Sequence, residues 1–409
     1  MRIIHAHKYF YQRAGAERVM FGLMRRQEAR GHEVAPFAMR YPKNEKTPFE
    51  KYFVSELETE NGVRSDYRLF SSFGRALWSL EAKKKMAQLI ADFKPDVVHA
   101  HNLYTHLSPS VLAACHEAKV PVVMSIHDYA LLSANYALWD GNHQMDLAHR
   151  SIFATAQTRF IKGSYAATLG LDVIRSLHEH LRLYDRYISR YLASSHAVKD
   201  AFVACGYDAK KIFIDSLFSD APIQKSKTDD EGFVLYAGRL ESYKGVDRLI
   251  DAMKILKKSI VGPDPFSLIV AGSGPEEARL RKRAEGLPVQ FVGQLPAKEL
   301  WDLMRRARVV VVPSLWREPF GLVVLEAMAQ GTPVVVSDRG ALPEIIEDGV
   351  SGTVFHADDP GDLARVLRPY LSRPAMALEQ GRAAAARAEI LGNPEEYTDR
   401  VLRHYQAIK

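Results

Sequence analysis

Short apolar runs alternate with helix-patterned segments along nearly the whole chain, and no other feature of the sequence restricts the fold as much. Strands separated by helices return to one sheet in parallel, so the alternation implies βαβ units and doubly wound parallel sheets. In the first half, residues 3–6, 34–38, 96–100 and 121–126 read as strands. Helical periodicity covers 15–29, 76–93 and 177–191, and Ser195 is placed to cap a further helix. A second series supplies strands at 233–237, 267–271, 290–292, 309–312 and 333–337, with helices at 245–258, 276–284, 298–307 and 320–330 between them. Late helices are predicted at 361–371, 375–388 and 395–407. The polar stretch 41–74 is too long for a simple connection and is expected to hold small elements or to serve function. Residues 215–232, with Pro222 and several Ser, Lys and Asp, read as a linker. The division expected is therefore 1–215 and 216–392.

A chain of 409 residues is long enough for two cores. No run of 18 apolar residues occurs, which argues against a membrane-spanning helix, and the start of the chain reads directly as a strand rather than a signal peptide. Two cysteines, Cys115 and Cys205, suit a reducing cytoplasm. Charge is uneven: residues 1–215 carry 29 Lys and Arg against 22 Asp and Glu, the remainder 26 against 27. A basic half suits an anionic glycan, a lipid phosphate or an anionic membrane surface; it equally describes a solvated face.

The strongest cluster of chemical groups is Ser314-Leu315-Trp316-Arg317-Glu318-Pro319-Phe320-Gly321-Leu322, followed by Glu326. It joins an apolar strand to a helix, and in open parallel sheets ligands bind at the carboxyl ends of strands. Amides of Phe320, Gly321 and Leu322 at a helix start would cradle a phosphate. Glu318 and Glu326 repel phosphate but accept hydrogen bonds from sugar and ribose hydroxyls. Without a ligand, Glu318 is a helix-dipole partner and Glu326 a surface charge. In Gly238-Arg239-Leu240-Glu241-Ser242-Tyr243-Lys244-Gly245, Arg239 and Lys244 occupy another strand-to-helix loop and would neutralise a diphosphate, or be ordinary loop charges. Gly272 and Gly274 form a third such loop, where a ligand could approach backbone. Gly15 opens the first helix, and His127 ends a strand at a ligand-facing edge or is a satisfied buried histidine. His99, His101 and His106 are possible metal ligands by residue type, but no carboxylate or cysteine completes a set, and no metal is expected.

These motifs, together with Glu326-Ala327-Met328-Ala329, resemble glycosyltransferase family 4, including its E-x7-E pattern from Glu318 to Glu326. The resemblance is concentrated over 233–355 and extends to Ala14-Gly15-Ala16-Glu17 and His127-Asp128. It implies the α/β GT-B fold, two Rossmann-like parallel-sheet domains facing across a cleft, with a C-terminal helix at about 393–409 crossing back to the N-terminal domain. It also implies sugar transfer with retention and without a metal. On that basis Glu318 and His127 attend the donor sugar, Glu326 the ribose, and Arg239 and Lys244 the diphosphate. Phe320, Gly321 and Leu322 give backbone contacts, and Leu295 a backbone contact to the base. Three departures stand out: Ala14 and Ala341 replace family glycines, and 213–218 lacks the usual hinge signature.

The expectation is a cytoplasmic glycosyltransferase, peripheral to the inner membrane face if its basic half binds there, that transfers a hexose. It would use no cofactor beyond a nucleoside-diphosphate sugar, best a UDP-sugar, and a glycan or lipid-linked acceptor in polysaccharide assembly. Nucleic acid is not an expected partner. A sugar-nucleotide epimerase and a non-catalytic nucleotide-sugar sensor are the alternatives. A nicotinamide dehydrogenase is disfavoured, since no G-x-G-x-x-G follows the first strand.

Overall fold

The structure, a computed structural model, describes residues 1–57, 66–147, 151–225, 227–259 and 266–408. The chain divides into two compact units. The first joins Met1–Asp140, Met145–Asp215 and Pro394–Lys409; the second comprises Gly141–Gln144 and Ser216–Asn393.

Six strands form the sheet of the first unit: β1 (Arg2–Ala6), β2 (Glu33–Phe37), β3 (Val97–Ala100), β4 (Val122–Ile126), β5 (Arg190–Ala193) and β6 (Ile212–Ile214). They lie in the order β2-β1-β3-β4-β5-β6, every pairing parallel. Strands covered on both faces read as continuous apolar runs rather than alternating ones, and β3 and β4 are buried throughout. The helix Gly15–Ala29 connects β1 to β2.

The last helix, Pro394–Gln406, belongs to this unit. Its apolar stripe, Tyr397, Val401 and Tyr405, is buried. Its polar side is pinned by Arg26 to Glu395 (3.1 Å), Arg30 to Asp399 (2.6 Å) and Arg400 to Asp215 (2.6 Å). Burial pushes the Asp215 carboxyl up to about 6 although Arg400 opposes the rise.

The second unit repeats the architecture with β7 (Val234–Ala237), β8 (Leu268–Ala271), β9 (Val289–Gly293), β10 (Val309–Val312), β11 (Val334–Ser337) and β12 (Gly352–Phe355). Their order is β12-β11-β10-β7-β8-β9, again all parallel. The order reverses between β7 and β10, so the loops that leave those two neighbouring strands lie side by side at the carboxyl edge of the sheet, the edge where open parallel sheets bind ligands.

Where expectation and structure differ, local chemistry gives the reason. The helix expected at 76–93 is two, Asp66–Leu77 and Leu80–Phe93, because Ser79 starts a new one by accepting the Ala82 amide on its hydroxyl. The helix expected at 177–191 is three elements. Tyr165–His180 stops before Arg182, which is left-handed (φ 51°); a short helix, Leu183–Tyr187, follows, and then β5. Leu177, Leu181, Tyr184 and Ile188 keep a helical spacing across that break, which hid it. Strand β6 overlaps the start of the stretch read as hinge, and β12 carries too short a run to stand out. Within 41–74 there is a 3-10 turn, Glu50–Tyr52, and the start of the helix at Asp66; residues 58–65 lie outside the described residues, as does 226 of the linker. Among the described residues no helix is long and apolar enough to cross a membrane.

Candidate active site

At the reversal point of the second sheet, the loops after β7 and β10 are tied backbone to backbone. The Leu315 amide donates to the Tyr243 carbonyl (2.9 Å), and the Trp316 amide to the same oxygen (3.3 Å). Residues Ser242–Lys244 form one 3-10 turn closed by Gly245 in a left-handed conformation (φ 69°). A β-carbon at Gly245 would lie 1.8 Å from the Pro313 carbonyl oxygen, so glycine is what lets the two loops approach.

That approach brings Lys244 Nζ to 2.5 Å from Glu318 Oε1. Ser314 donates its hydroxyl to the same carboxylate oxygen (2.8 Å), and the ammonium lies 4.7 Å from the centre of the Trp316 ring. Glu318 is 6% exposed. Burial alone would raise its pKa, but the Lys244 ammonium and the Ser314 hydroxyl outweigh burial and hold the carboxyl below its ordinary value. It is therefore an anion at neutral pH, able to accept hydrogen bonds and unable to act as a proton donor. Arg239 is half-exposed, and its guanidinium donates to the Tyr243 hydroxyl (3.1 Å). Glu326 sits in the second turn of the helix Leu322–Ala329 and is buried, which removes the reading of it as a surface charge.

Two details of the expected cradle change. The helix after β10 begins at Leu322, with Gly321 as its cap (φ 101°), and the Val324 amide already donates to the Gly321 carbonyl (2.9 Å). The first amides of the helix are thus those of Leu322 and Val323, and Phe320 precedes the cap. The left-handed glycine shifts the start by two residues. Gly272 and Gly274 have a different steric role from the one expected. β-Carbons there would meet the Gly238 carbonyl at 1.8 Å and the Leu240 carbonyl at 2.3 Å, so their bareness seats this loop against the loop after β7. The Gly272 amide donates in turn to Gly293 at the end of β9 (2.7 Å), and Leu295 follows, partly exposed. Four loops, after β7, β8, β9 and β10, therefore form one connected rim.

Sequence reasoning passed over Ser314 and Trp316 as participants, although both stand inside the strongest motif. It also missed Gln144, whose side-chain oxygen accepts the Arg317 amide (2.7 Å).

In the first unit Gly15 is the first helical residue after the Ala14 cap. Ala14 is extended (φ −150°), a conformation any residue adopts, so the missing glycine costs nothing there. The same holds for Ala341 (φ −80°), whereas Gly340 beside it has φ 61°. His127 is partly exposed at the end of β4, and burial lowers its pKa to about 4. The metal grouping weighed from sequence is revised. His106 bonds Thr105 within its own short helix (3.0 Å), and the histidines that cluster are His5, His99 and His101, with one ring nitrogen each inside a 4.8 Å set.

Two doubly wound parallel-sheet units, one with charged loops joined at its reversal point, have the architecture of the GT-B fold. Solved structures with this fold include sucrose-phosphate synthase from Thermosynechococcus elongatus (TM-score 0.68, 18% identity, 100% of this chain and 98% of that one). Anabaena HepE, solved with UDP and glucose, is comparable (0.67, 20%, all of both chains). A family model described as Glycosyltransferase Family 4 matches residues 13–223, and one described as Glycosyl transferases group 1 matches 219–387. An uncharacterised glycosyltransferase of Methanocaldococcus jannaschii is 30% identical over 76% of each chain. The phosphatidyl-myo-inositol mannosyltransferase of Mycobacterium leprae is 32% identical over 64% of this chain and 68% of its own. A glycogen synthase of Mycobacterium tuberculosis is 40% identical, over only 38% of this chain and 37% of its own. The chain belongs to glycosyltransferase family 4.

Proposed function

We propose that this glycosyltransferase moves a hexose from a UDP-sugar to an acceptor hydroxyl with retention of anomeric configuration, on a glycan or lipid-linked acceptor in polysaccharide assembly. The observation that carries the reading is the Lys244–Glu318 pair at the reversal point of the second sheet, with Arg239 on the same loop as Lys244. A diphosphate and a sugar ask for opposite chemistry side by side, cations for one and hydroxyl acceptors for the other. In this reading Lys244 and Arg239 hold the diphosphate, helped by the first amides of the helix after β10, those of Leu322 and Val323. Glu318 receives donor-sugar hydroxyls and Glu326 the ribose; Leu295 offers backbone to the base. Gly15 and His127 are assigned to the donor by family resemblance.

In the reaction the bond from the anomeric carbon to the phosphate oxygen breaks and the bond to the acceptor oxygen forms. The acceptor proton passes to the departing phosphate. Negative charge grows on that phosphate as the bond breaks, and fixed cations and amides aimed at it lower the barrier. These groups do the work a metal would do, which makes transfer metal-independent in this reading. The crystal complexes of HepE with UDP-glucose support the choice of UDP. The basic composition of residues 1–215 supports peripheral contact with an anionic membrane face on the cytoplasmic side.

Transfer from UDP-glucose, followed by release of UDP, tests the reading. Lys244→Ala and Glu318→Ala should each lower turnover by about 10²-fold or more. Undiminished turnover in both variants would reject it.

A further inference from the structure

A chain of neutral side chains runs through the first unit and ends at His127. Gln27 is its pivot. On one side Gln27 Oε1 lies 2.8 Å from His5 Nε2, His5 Nδ1 lies 3.1 Å from His101 Nε2, and His101 Nδ1 lies 3.0 Å from His127 Nε2. On the other side Gln27 Nε2 donates to the Tyr405 hydroxyl (3.3 Å). That hydroxyl meets His99 Nδ1 (2.5 Å), and His99 Nε2 meets Ser125 Oγ (2.8 Å). All of these residues except His127 are buried. Burial, the largest cause at each ring, holds His5 and His127 at about 4 and His99 and His101 well below the ordinary value, so every ring is neutral.

A neutral imidazole has one N–H and one bare nitrogen, so in such a chain each link dictates the next. The carboxamide of Gln27 sets the direction, because its oxygen only accepts and its nitrogen only donates. Its oxygen requires the proton of His5 on Nε2. His5 Nδ1 is then bare and accepts from His101 Nε2, and His101 Nδ1 is bare and accepts from His127 Nε2. Toward the other end, Tyr405 accepts from Gln27 and donates to His99 Nδ1, which puts the His99 proton on Nε2, facing Ser125. No link conflicts with another. Turning the carboxamide over would reverse them all.

We propose that Gln27 and Tyr405 act as positioning residues that fix His127 as its Nε2–H tautomer, leaving Nδ1 as a lone pair that accepts a hydrogen from a substrate hydroxyl. No side chain of the described residues is bonded to that nitrogen, and the ring is partly exposed. The hydroxyl contact rests on the assignment of His127 to the donor sugar; the tautomer does not. Tyr405 stands in the last helix, so the far end of the chain sets the chemistry of a residue near its first third. With a basic nitrogen this weak, His127 orients a hydroxyl rather than removing its proton.

Long-range proton–nitrogen NMR of the full chain labelled at histidine ring nitrogens tests this, since protonated and bare ring nitrogens resonate far apart. The signal lost in His127→Asn identifies His127. Without ligand, His127 should show a protonated Nε2 and a bare Nδ1. Tyr405→Phe and Gln27→Leu touch no atom of His127, yet each should bring in the second tautomer, with kcat/KM for the sugar nucleotide falling about fivefold. A protonated Nδ1 in the unaltered protein, an unmoved His127 signal in both variants, or a tightly held metal at one per chain on His5, His99 and His101 would overturn the proposal. A tautomer change with transfer at full rate would overturn the hydroxyl contact and the placement of His127 in the site, while leaving the hydrogen-bonded chain in place.

Discussion

Glu318 shows how single residues decide this site. Its carboxylate is buried, and the neighbouring ammonium keeps it ionised. In Lys244→Ala the opposing charge is gone and burial prevails, so the carboxyl should rise above its ordinary 4.5; carbon-13 NMR of labelled glutamate would follow it. In the unaltered protein the folded pKa is below the unfolded one. The pair's stabilisation is therefore present above the unfolded value and lost as pH falls through the folded value. Glu318→Gln should flatten that acid limb in a series of melting curves taken below pH 5. The charged groups were legible in the sequence, because Arg, Lys and Glu at strand ends announce their chemistry wherever they stand. The histidine chain was not. Its links join residues 22, 96 and 378 positions apart, and only the fold makes His5, Gln27 and Tyr405 neighbours. Local pattern offered His106 instead, which stands five residues beyond His101 in a separate short helix.

Among elements, the longer helices of the second unit match their sequence periodicity to within three residues at each end, whereas the one-turn helix Leu342–Ile345 is too short to carry a pattern and was not expected. Short edge strands were lost: Ile212–Ile214 and Gly352–Phe355 have three and four residues. The loops between elements carry the more exacting constraints. Gly245→Ala would place a methyl against the Pro313 carbonyl and force a left-handed alanine, so stability should fall by at least ~2 kcal/mol in urea denaturation, and the Lys244–Glu318 contact should loosen with it. Ala341→Gly, although it restores the family pattern, should lose about 0.5–1 kcal/mol, because the backbone there is already ordinary. Departure from a motif matters only where the backbone conformation demands the glycine.

Across the molecule, two sheets of the same class carry different burdens of charge: residues 1–215 are basic and the remainder is nearly balanced. If the basic half meets a membrane, the protein should sediment with vesicles containing phosphatidylglycerol and be released as salt rises, and should ignore vesicles of phosphatidylcholine alone. The duplication of a doubly wound architecture was legible from the alternation of strands and helices; which strand neighbours which was not, because order in a sheet leaves no trace in periodicity. That order is what sets the loops after β7 and β10 side by side. The claim that a nucleoside-diphosphate sugar is held there is tested most directly by calorimetric titration of UDP and UDP-glucose into the protein and its Glu318→Gln variant. If Glu318 grips the sugar, the variant binds UDP as before and UDP-glucose about tenfold or more weakly. Equal affinity of both proteins for both ligands, or no binding of either ligand to the unaltered protein, would contradict it.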